Sequence, residues 1–186
     1  MSDFDRILNA IAGRKGQKTI VAIDGRCGSG KTTLADKIAG IVDAEIIHMD
    51  DFFLPAELRS AGRLGEAGGN IHYERFLDEV VAGIRSGEEF KYRKFSCKDM
   101  DYAGVAVVKN KPVIIVEGAY SLHPLYDHIY DIRIFCDIDG DEQKRRIIAR
   151  EGAERYPQFR DKWIPMEELY ISKYRIAQKC DFRIYP

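Results

Sequence analysis

The feature that most constrains this chain is its glycine-rich segment, Gly25-Arg26-Cys27-Gly28-Ser29-Gly30-Lys31-Thr32-Thr33. It fills every fixed position of the pattern G-x-x-x-x-G-K-[ST], in which backbone N–H groups surround phosphate oxygens. An apolar, β-branched run precedes the segment, and the helix-prone run 34–39 follows it. This order of strand, loop and helix is the context that the pattern requires. The sequence therefore predicts that residues 25–33 bind a nucleoside triphosphate.

The residue types of this segment suit phosphate binding. Glycines let the backbone adopt positive φ and approach a ligand closely, and the following helix adds the positive end of its dipole. Lys31 brings a flexible point charge that can follow the β- and γ-phosphates. Thr32 can offer its hydroxyl to Mg²⁺, which takes few protein ligands. The alternative is a glycine turn that only closes a strand–helix unit.

The remainder of the chain predicts a single α/β domain spanning 1–186, because 186 residues suit one domain with a substantial core. Short apolar runs predict strands at 18–24, 44–49, 112–117, 131–137 and 181–185. Helical patterns lie at 3–13, 31–41, 72–86, 141–151 and 165–178. Their alternation predicts a three-layer α/β domain with a mainly parallel sheet. Ligands of such sheets bind beyond the carboxyl ends of the strands, so the residues that follow each strand are the functional candidates.

Composition argues against several classes of partner. The net charge of −1 gives no electrostatic footprint for nucleic acid. No apolar run approaches the ~20 residues of a membrane span, and the N-terminus lacks the layout of a secretion signal. A cytoplasmic protein without nucleic-acid or membrane partners is expected. Four scattered cysteines without a C-x-x-C pair argue against zinc and a disulfide framework.

Acidic residues follow two of the predicted strands. Asp50 comes first after the second strand, where a carboxylate can accept the proton of an acceptor hydroxyl or bind a Mg²⁺ water. Asp51 can instead cap a helical turn, and the pair can also be two solvated turn residues. Glu117 ends the buried run 113–116, and Mg²⁺ or its water shell would supply the partner that a carboxylate needs there.

Arginines are concentrated after the fourth predicted strand: Arg145, Arg146, Arg150, Arg155 and Arg160. Guanidinium groups suit the charge of a transferring phosphoryl group, so a lid over about 141–162 is predicted to cover the nucleotide and exclude water. The alternative is a solvated face paired with nearby glutamates. Residues 55–71 are predicted to be a mobile loop, and about 88–110 a small β insertion beside the acceptor. For Cys27, the adjacent helix N-terminus and Lys31 favour a thiolate, although a passive loop residue is the preferred interpretation.

Together these motifs resemble the phosphoribulokinase and uridine kinase family of P-loop kinases. The matching segments keep the family's order and are 24–33, His48–Phe53, Val116–Gly118, Asp137-x-Asp139 with Arg146 and Arg150, and Glu154-Arg155. The resemblance implies a five-stranded sheet of order 2-3-1-4-5 with a mobile helical lid. It also implies ATP- and Mg²⁺-dependent phosphoryl transfer to a hydroxyl of a small molecule, with a nucleoside as the first candidate.

The resemblance also implies roles for individual residues. The catalytic set is Asp50, Lys31, Arg150 and Arg155, and the nucleotide set is Gly25, Arg26, Cys27, Gly28, Ser29, Gly30, Lys31, Thr32, Thr33 and Arg146. The metal set is Thr32, Asp50 and Glu117. The acceptor set is Asp50, Phe53, His72, Tyr73, Phe95 and Glu117, of which His72 and Tyr73 can instead begin a buried helix.

Several alternatives stay open at this point. The acceptor can be a nucleoside or a non-nucleoside alcohol such as a vitamin precursor or sugar, and the pattern does not separate ATP from GTP. A regulatory GTPase is disfavoured because Asn110-Lys111 precedes its strand and lacks the Asp of Asn-Lys-x-Asp. A nucleotide-binding module without catalysis is the third hypothesis. Apolar residues of helix 165–178 suit either the core or a homo-oligomer.

Overall fold

A five-stranded parallel sheet forms the centre of the molecule in this computed structural model, which describes residues 1–185. Its strands are β1 (Thr19–Gly25), β2 (Ala44–His48), β5 (Val113–Glu117), β6 (Ile132–Cys136) and β7 (Phe182–Ile184), while β3 (Phe90–Ser96) and β4 (Asp101–Val108) form a separate antiparallel hairpin. The spatial order is β2-β5-β1-β6-β7. Numbered among themselves, the five sheet strands follow the order 2-3-1-4-5 that the resemblance implies.

Helices cover both faces of the sheet. They are α1 (Asp3–Ala12), α2 (Lys31–Ala39), α3 (Ala61–Gly65), α4 (Tyr73–Phe76), α5 (Ala82–Ser86), α6 (Gly140–Glu151), α7 (Tyr156–Gln158), α8 (Ile164–Tyr174) and α9 (Ile176–Lys179). Side chains of β1 alternate between the two faces: Val21 and Ile23 pack with α1 and α2, whereas Ile20 and Ala22 pack with α4, α8 and α9. Burial on both faces explains the nearly continuous apolar strands and gives the predicted three layers.

Two predicted helices are not regular α-helices over their whole length. Residues 73–86 form one continuous rod of α4, a π-helical turn at Leu77–Val81 and α5. The helix predicted over 165–178 divides into α8 and α9 at Arg175, whose φ of 54° is left-handed. On α8, Tyr170 packs in the core and Leu169 is exposed. Within residues 1–185, no helix is both long enough and apolar enough to cross a bilayer.

The two connectors have defined structures. Residues 55–71 contain the 3₁₀ turn Ala56–Leu58 and α3, and Arg63 holds their end by donating to the carbonyls of Gly69 and Ile71 at 3.0 and 2.9 Å. Gly69 permits this approach, since a Cβ there would lie 1.8 Å from the Arg63 carbonyl oxygen. The predicted β insertion is the β3–β4 hairpin, anchored where Tyr92 donates to Asp51 at 3.0 Å. Its turn brings Cys97 and Met100 to the cavity described below.

Candidate active site

A cavity of about 830 Å³ opens at the carboxyl ends of the sheet strands. One side, here called the loop wall, consists of the glycine loop with Arg146, Arg150 and Arg155. The other, here called the hairpin wall, consists of Phe53, Arg59, Asn70, Cys97 and Met100. Asp50, Glu117, Tyr120 and Glu167 also line the cavity. The site therefore lies where open α/β sheets place their ligands.

The glycine loop joins β1 to α2 through left-handed backbone. Gly28 and Gly30 have φ values of 76° and 93°, which residues with a Cβ rarely adopt. Gly25 is needed for a different reason: a Cβ there would lie 2.0 Å from the Cys136 carbonyl oxygen of the adjacent β6. No side chain of residues 1–185 caps the start of α2 at Gly30. The amides of its first turn are therefore free to bind an anion.

The Lys31 side chain folds back over this loop. Its Nζ donates to the carbonyl oxygens of Gly25 and Arg26, each at 2.9 Å. Both bonds are to neutral acceptors, and among the described residues 1–185 no carboxylate forms an ion pair with the ammonium group, so its positive charge is held at the loop. The arrangement offers a cation and helix-terminal amides to the same anion.

Acidic residues from two strand ends meet the first turn of α2. Thr32 donates from its hydroxyl to Glu117 Oε2 at 3.1 Å, and His48 Nδ1 lies 2.6 Å from Glu117 Oε1. The hydrogen bond with Glu117 raises the pKa of His48. Glu117 itself is buried at the end of β5. Its two oxygens are thus oriented by residues of α2 and β2.

Asp50 lies on the 3₁₀ turn Met49–Phe52 and faces the cavity. The carboxylate is accessible through the cavity, yet the surrounding protein still raises its pKa by desolvation, while the charge of Lys31 lowers it. Asp51 points elsewhere, accepting from Tyr92 and lying 4.0 Å from Lys94. The structure thus places Asp50, and not Asp51, at the cavity, in agreement with the sequence-based preference for the aspartate that comes first after the strand.

The arginines after β6 divide into two groups. Arg146 donates to the Gly28 carbonyl at 3.3 Å, Arg150 lies 3.6 Å from Cys27 Sγ, and both line the cavity with Arg155. Arg145 instead pairs with Glu142 on the surface, and Arg160 pairs with Asp161. Three of the five arginines are therefore placed for a ligand, and two belong to the solvated face that was the alternative.

Two buried acids are absent from the predicted site. Asp24 accepts from the amides of Gly25, Tyr120 and Leu122 at 2.7, 3.2 and 3.0 Å and from the Tyr170 hydroxyl at 2.7 Å. Burial raises its pKa, and these hydrogen bonds oppose that effect. They also hold Tyr120 at a left-handed φ of 71° on the cavity wall. The sequence signal that could have identified Asp24 is its position as an acidic residue at the end of the apolar run that forms β1.

Glu167 is the second buried acid. It lies on α8, accepts from the Cys27 amide at 2.8 Å and lines the cavity. Burial raises its pKa to about 7, although the nearby Lys31 lowers it. The adjacent Glu168 binds Arg26 at 2.6 Å, so α8 holds the first half of the glycine loop through two consecutive glutamates. Nothing in the sequence pairs these glutamates with residues some 140 positions earlier.

Three residues of the predicted nucleotide set, Gly25, Arg26 and Ser29, do not line the cavity, although they are part of the glycine loop. The Arg26 side chain pairs with Glu168 and Asp137 and does not line the cavity. Ser29 is fully buried, and Gly25 contributes to the strand junction. The predicted tendency of Cys27 to form a thiolate is not supported, because burial and Glu167 raise the pKa of its thiol against the opposing charges of Lys31 and Arg150.

Three predicted acceptor contacts also lie away from the cavity. Tyr73 stacks on His123 with ring centroids 5.2 Å apart, and the Arg63 guanidinium covers it at 3.7 Å. Phe95 is buried against Tyr102. His72 precedes α4, and its amide donates to the Phe52 carbonyl at 2.8 Å. Tyr73 and Phe95 therefore pack against other rings, and the His72 side chain does not line the cavity. Phe53 does line the cavity.

Comparison with known proteins finds uridine-cytidine kinases among the sequence relatives. No protein-family model matches the chain. Uridine-cytidine kinase D of Dictyostelium discoideum is 30% identical over 120 residues, which are 61% of this chain and 22% of that protein. Uridine-cytidine kinase B of the same organism is 28% identical over 147 residues, 73% of this chain and 59% of that protein. The chain thus spans between about a fifth and three fifths of these relatives.

Solved structures share the whole fold. A possible uridine kinase from Bacillus stearothermophilus has a TM-score of 0.71 at 17% identity, covering 98% of this chain and 97% of that one. A candidate fructose transport system kinase from Silicibacter sp. TM1040 has a TM-score of 0.76 at 20% identity, covering 99% of both. Identities this low show the fold alone, and the curated relatives supply the sequence link. The chain therefore has the fold of these kinase structures, and its sequence is similar to uridine-cytidine kinases over 61 to 73% of its length.

Proposed function

We propose that the protein transfers the terminal phosphoryl group of ATP to a hydroxyl group of a small molecule. The observation that carries this proposal is that Asp50 lines the same cavity as Lys31 and the glycine loop. A phosphate cradle and a carboxylate facing it are the two parts that phosphoryl transfer to an alcohol requires. The curated relatives are named kinases, which supports the same reaction class.

The proposed nucleotide contacts follow from the loop wall. The free amides at the start of α2 would bind phosphate oxygens, and the Lys31 ammonium would exchange its carbonyl partners for the β- and γ-phosphates. The main-chain acceptors of Lys31 are easily replaced because they carry no full charge. ATP rather than GTP is proposed on the strength of the resemblance.

The oxygen donors near the loop fit Mg²⁺. Thr32, Asp50 and Glu117 offer one hydroxyl and two carboxylates. Within residues 1–185 no group of three or more His, Cys, Asp or Glu side chains could enclose a metal ion by itself. This sparse set suits Mg²⁺, which keeps several waters and shares phosphate oxygens. Such an ion would supply charge neutralisation at the transferring phosphoryl group.

Asp50 would act on the acceptor. As the acceptor oxygen forms its bond to the γ-phosphorus and the bond to the ADP oxygen breaks, the hydroxyl proton passes to the Asp50 carboxylate. The raised pKa of Asp50 improves it as a proton acceptor, and its position orients the hydroxyl. Arg146, Arg150 and Arg155 would stabilise charge on the phosphoryl oxygens. We propose further that about 141–162 serves as a lid on a single domain, with 88–110 on the acceptor side.

The names of the similar proteins favour two classes of acceptor among the alcohols that this reaction could use. The names of the Dictyostelium relatives favour a nucleoside, and that of the Silicibacter protein favours a sugar. Both are polyhydroxylated small molecules, and both reactions would use Asp50 in the same way.

The test combines binding and turnover. Titration calorimetry should detect uptake of ATP with Mg²⁺, and a panel of nucleosides, sugars and sugar derivatives should include alcohols that stimulate ADP release. Binding of ATP without stimulation by any alcohol would favour a nucleotide-binding module without catalysis. Well-folded protein that binds no adenine nucleotide would overturn the proposal.

A further inference from the structure

We propose that the acceptor is a hydroxylated small molecule bearing a carboxylate or phosphate group, and that Arg59 binds this anionic group. The inference rests on the proposed function and narrows its acceptor class. It draws on the hairpin wall, where within residues 1–185 Arg59 has no carboxylate partner and the buried Asn70 Oδ1 has no hydrogen-bond partner.

Arg59 is the first of these side chains. It follows the turn Ala56–Leu58, is half-buried and lines the cavity. Its Nε donates to the Leu54 carbonyl at 2.7 Å, which fixes the plane of the guanidinium. Among residues 1–185, no carboxylate lies within salt-bridge distance of Arg59. Its terminal nitrogens lie beside the Cys97 thiol, which is a weak hydrogen-bond acceptor and leaves them capacity to bind a planar anion.

The arginines of the loop wall differ in this respect. Arg146 pairs with Glu142 at 2.7 Å, and both Arg150 and Arg155 pair with Glu151, at 2.9 and 2.8 Å. These guanidinium groups have a compensating charge before any ligand arrives. A half-buried guanidinium without such compensation carries a desolvation cost that an anionic ligand would offset.

Asn70 provides an independent observation. It is only 3% exposed and lines the cavity, and in the described part of the chain its buried Oδ1 has no hydrogen-bond partner. Unpartnered buried acceptors are costly, so a donor from a ligand is expected there. The Asn70 carbonyl accepts from the Leu54 amide at 2.9 Å, and the Leu54 carbonyl accepts from Arg59. Both side chains are therefore positioned by the same backbone pairing.

Arg59 and Asn70 line the same cavity as Asp50, the proposed catalytic carboxylate. Desolvation raises the pKa of the Cys97 thiol, the charge and hydrogen bond of Arg59 lower it, and the charge of Asp50 raises it. Arg59 and Asp50 thus act on one thiol at the hairpin turn. A ligand in this space can place one hydroxyl at Asp50, a second hydroxyl against Asn70 Oδ1, and its anionic group on Arg59. The ring of Phe53 can cover its carbon skeleton.

The test compares acceptors that differ only in charge. Two matched sets serve as probes: glycerol, glycerate and glycerol 3-phosphate, and ribose, ribonate and ribose 5-phosphate. ADP release is measured for the wild type, Arg59→Ala, Arg59→Lys and the control Arg6→Ala, which removes an exposed arginine on α1. The anionic members should have the lower KM. In Arg59→Ala their KM should rise about 30-fold or more, with KM for ATP unchanged.

A second variant keeps the test decisive if Arg59→Ala is poorly folded. Asn70→Asp preserves size and adds a negative charge beside the proposed anion. It should raise KM for the anionic members, with little effect on the neutral ones. The carboxylate and phosphate arms identify which anion is recognised.

Failure of this inference is distinguishable from failure of the proposed function. Stimulation by neutral members and by uridine, with no preference for anions and no effect of Arg59→Ala, would overturn the inference and leave phosphoryl transfer intact. If ATP is not bound at all, both are wrong.

Discussion

The two walls of the cavity are built in opposite ways. The loop wall derives mainly from consecutive residues, and its cations are already compensated by Glu142, Glu151 or main-chain carbonyls. The hairpin wall derives from four separate segments, and within residues 1–185 it leaves Arg59 without a carboxylate partner and Asn70 Oδ1 without a hydrogen-bond donor. The first wall is complete without its ligand, whereas the second is not.

This difference teaches where specificity would reside. A phosphate tail is common to many reactions, so a prearranged cradle of local origin can serve them all. An acceptor is particular to one reaction, and the groups that recognise it are the ones left unpaired until it binds. Substitutions on the loop wall should therefore affect every acceptor, and those on the hairpin wall should discriminate among them.

The largest effect is expected on the loop wall. Lys31→Ala removes the only side-chain cation that contacts the loop carbonyls of Gly25 and Arg26 within residues 1–185, so ATP turnover should fall by about 1000-fold for every acceptor. Steady-state ADP release measures this. Lys37→Ala, in the last turn of the same helix, is the matched control. A fall confined to one acceptor would contradict the proposed separation of the walls.

The second largest effect is expected for a substitution of Asp50, which lies at the boundary between the two walls. Asp50→Asn should lower kcat by roughly 100-fold, because the amide cannot take up the hydroxyl proton. Nucleotide affinity, measured by calorimetry, should stay within a few-fold. Asp51→Asn is the control, since Asp51 accepts from Tyr92 outside the cavity. Near-normal turnover in Asp50→Asn would show that the acid–base role belongs to another residue.

A smaller effect is expected where α8 meets the loop wall. Glu167 has a pKa of about 7 in the folded protein against an ordinary value of 4.5, so the folded state holds the proton more tightly. The stability contributed by this group is present below about pH 4.5 and is lost as pH rises to about 7. Glu167→Gln avoids that loss and should be more stable than the wild type by on the order of 2 kcal/mol at pH 8.

Urea unfolding of both proteins at pH 5 and pH 8 measures the difference. The gain should shrink markedly at pH 5, where the wild-type carboxyl is mostly protonated in the folded state. The carboxyl faces Lys31, Asp24 and Asp50, and these charges are the same in both proteins. A gain independent of pH would show that the titration of Glu167 does not affect stability.

The smallest effect is predicted for a single arginine of the proposed lid. Arg150→Ala should lower kcat by about tenfold and change the acceptor KM less, because the guanidinium would act on charge that develops during transfer. Arg145→Ala should have no such effect, since Arg145 points to solvent and pairs with Glu142. An unchanged kcat in Arg150→Ala would exclude this role.

Local sequence explains why the fold was predictable. The strands are short apolar runs, and each adopts its predicted position because burial on both faces of a parallel sheet demands that pattern. The glycine loop follows from nine consecutive residues. The interruptions at Leu77–Val81 and Arg175 had no comparable signal, since a π-turn and a left-handed residue follow from packing of neighbouring elements.

The acceptor side was predicted less well for a physical reason. Tyr73 and Phe95 are aromatic residues in segments close to the cavity. The direction of each side chain depends on its packing partner, which is His123 for Tyr73 and Tyr102 for Phe95. Arg59 has no motif, whereas Asn70 comes just before His72 and Tyr73, in the segment expected near the acceptor. Both line the cavity close to the backbone pairing of Leu54 with Asn70.

By itself, then, the sequence determined the sheet, its helices, the phosphate loop and the acids at the strand ends, because hydrophobic periodicity and backbone conformation are local properties. Tertiary structure alone decided which arginines reach the loop, and that Glu167 and Glu168 hold it. Those outcomes depend on distances between residues far apart in the chain, and no local pattern encodes such distances.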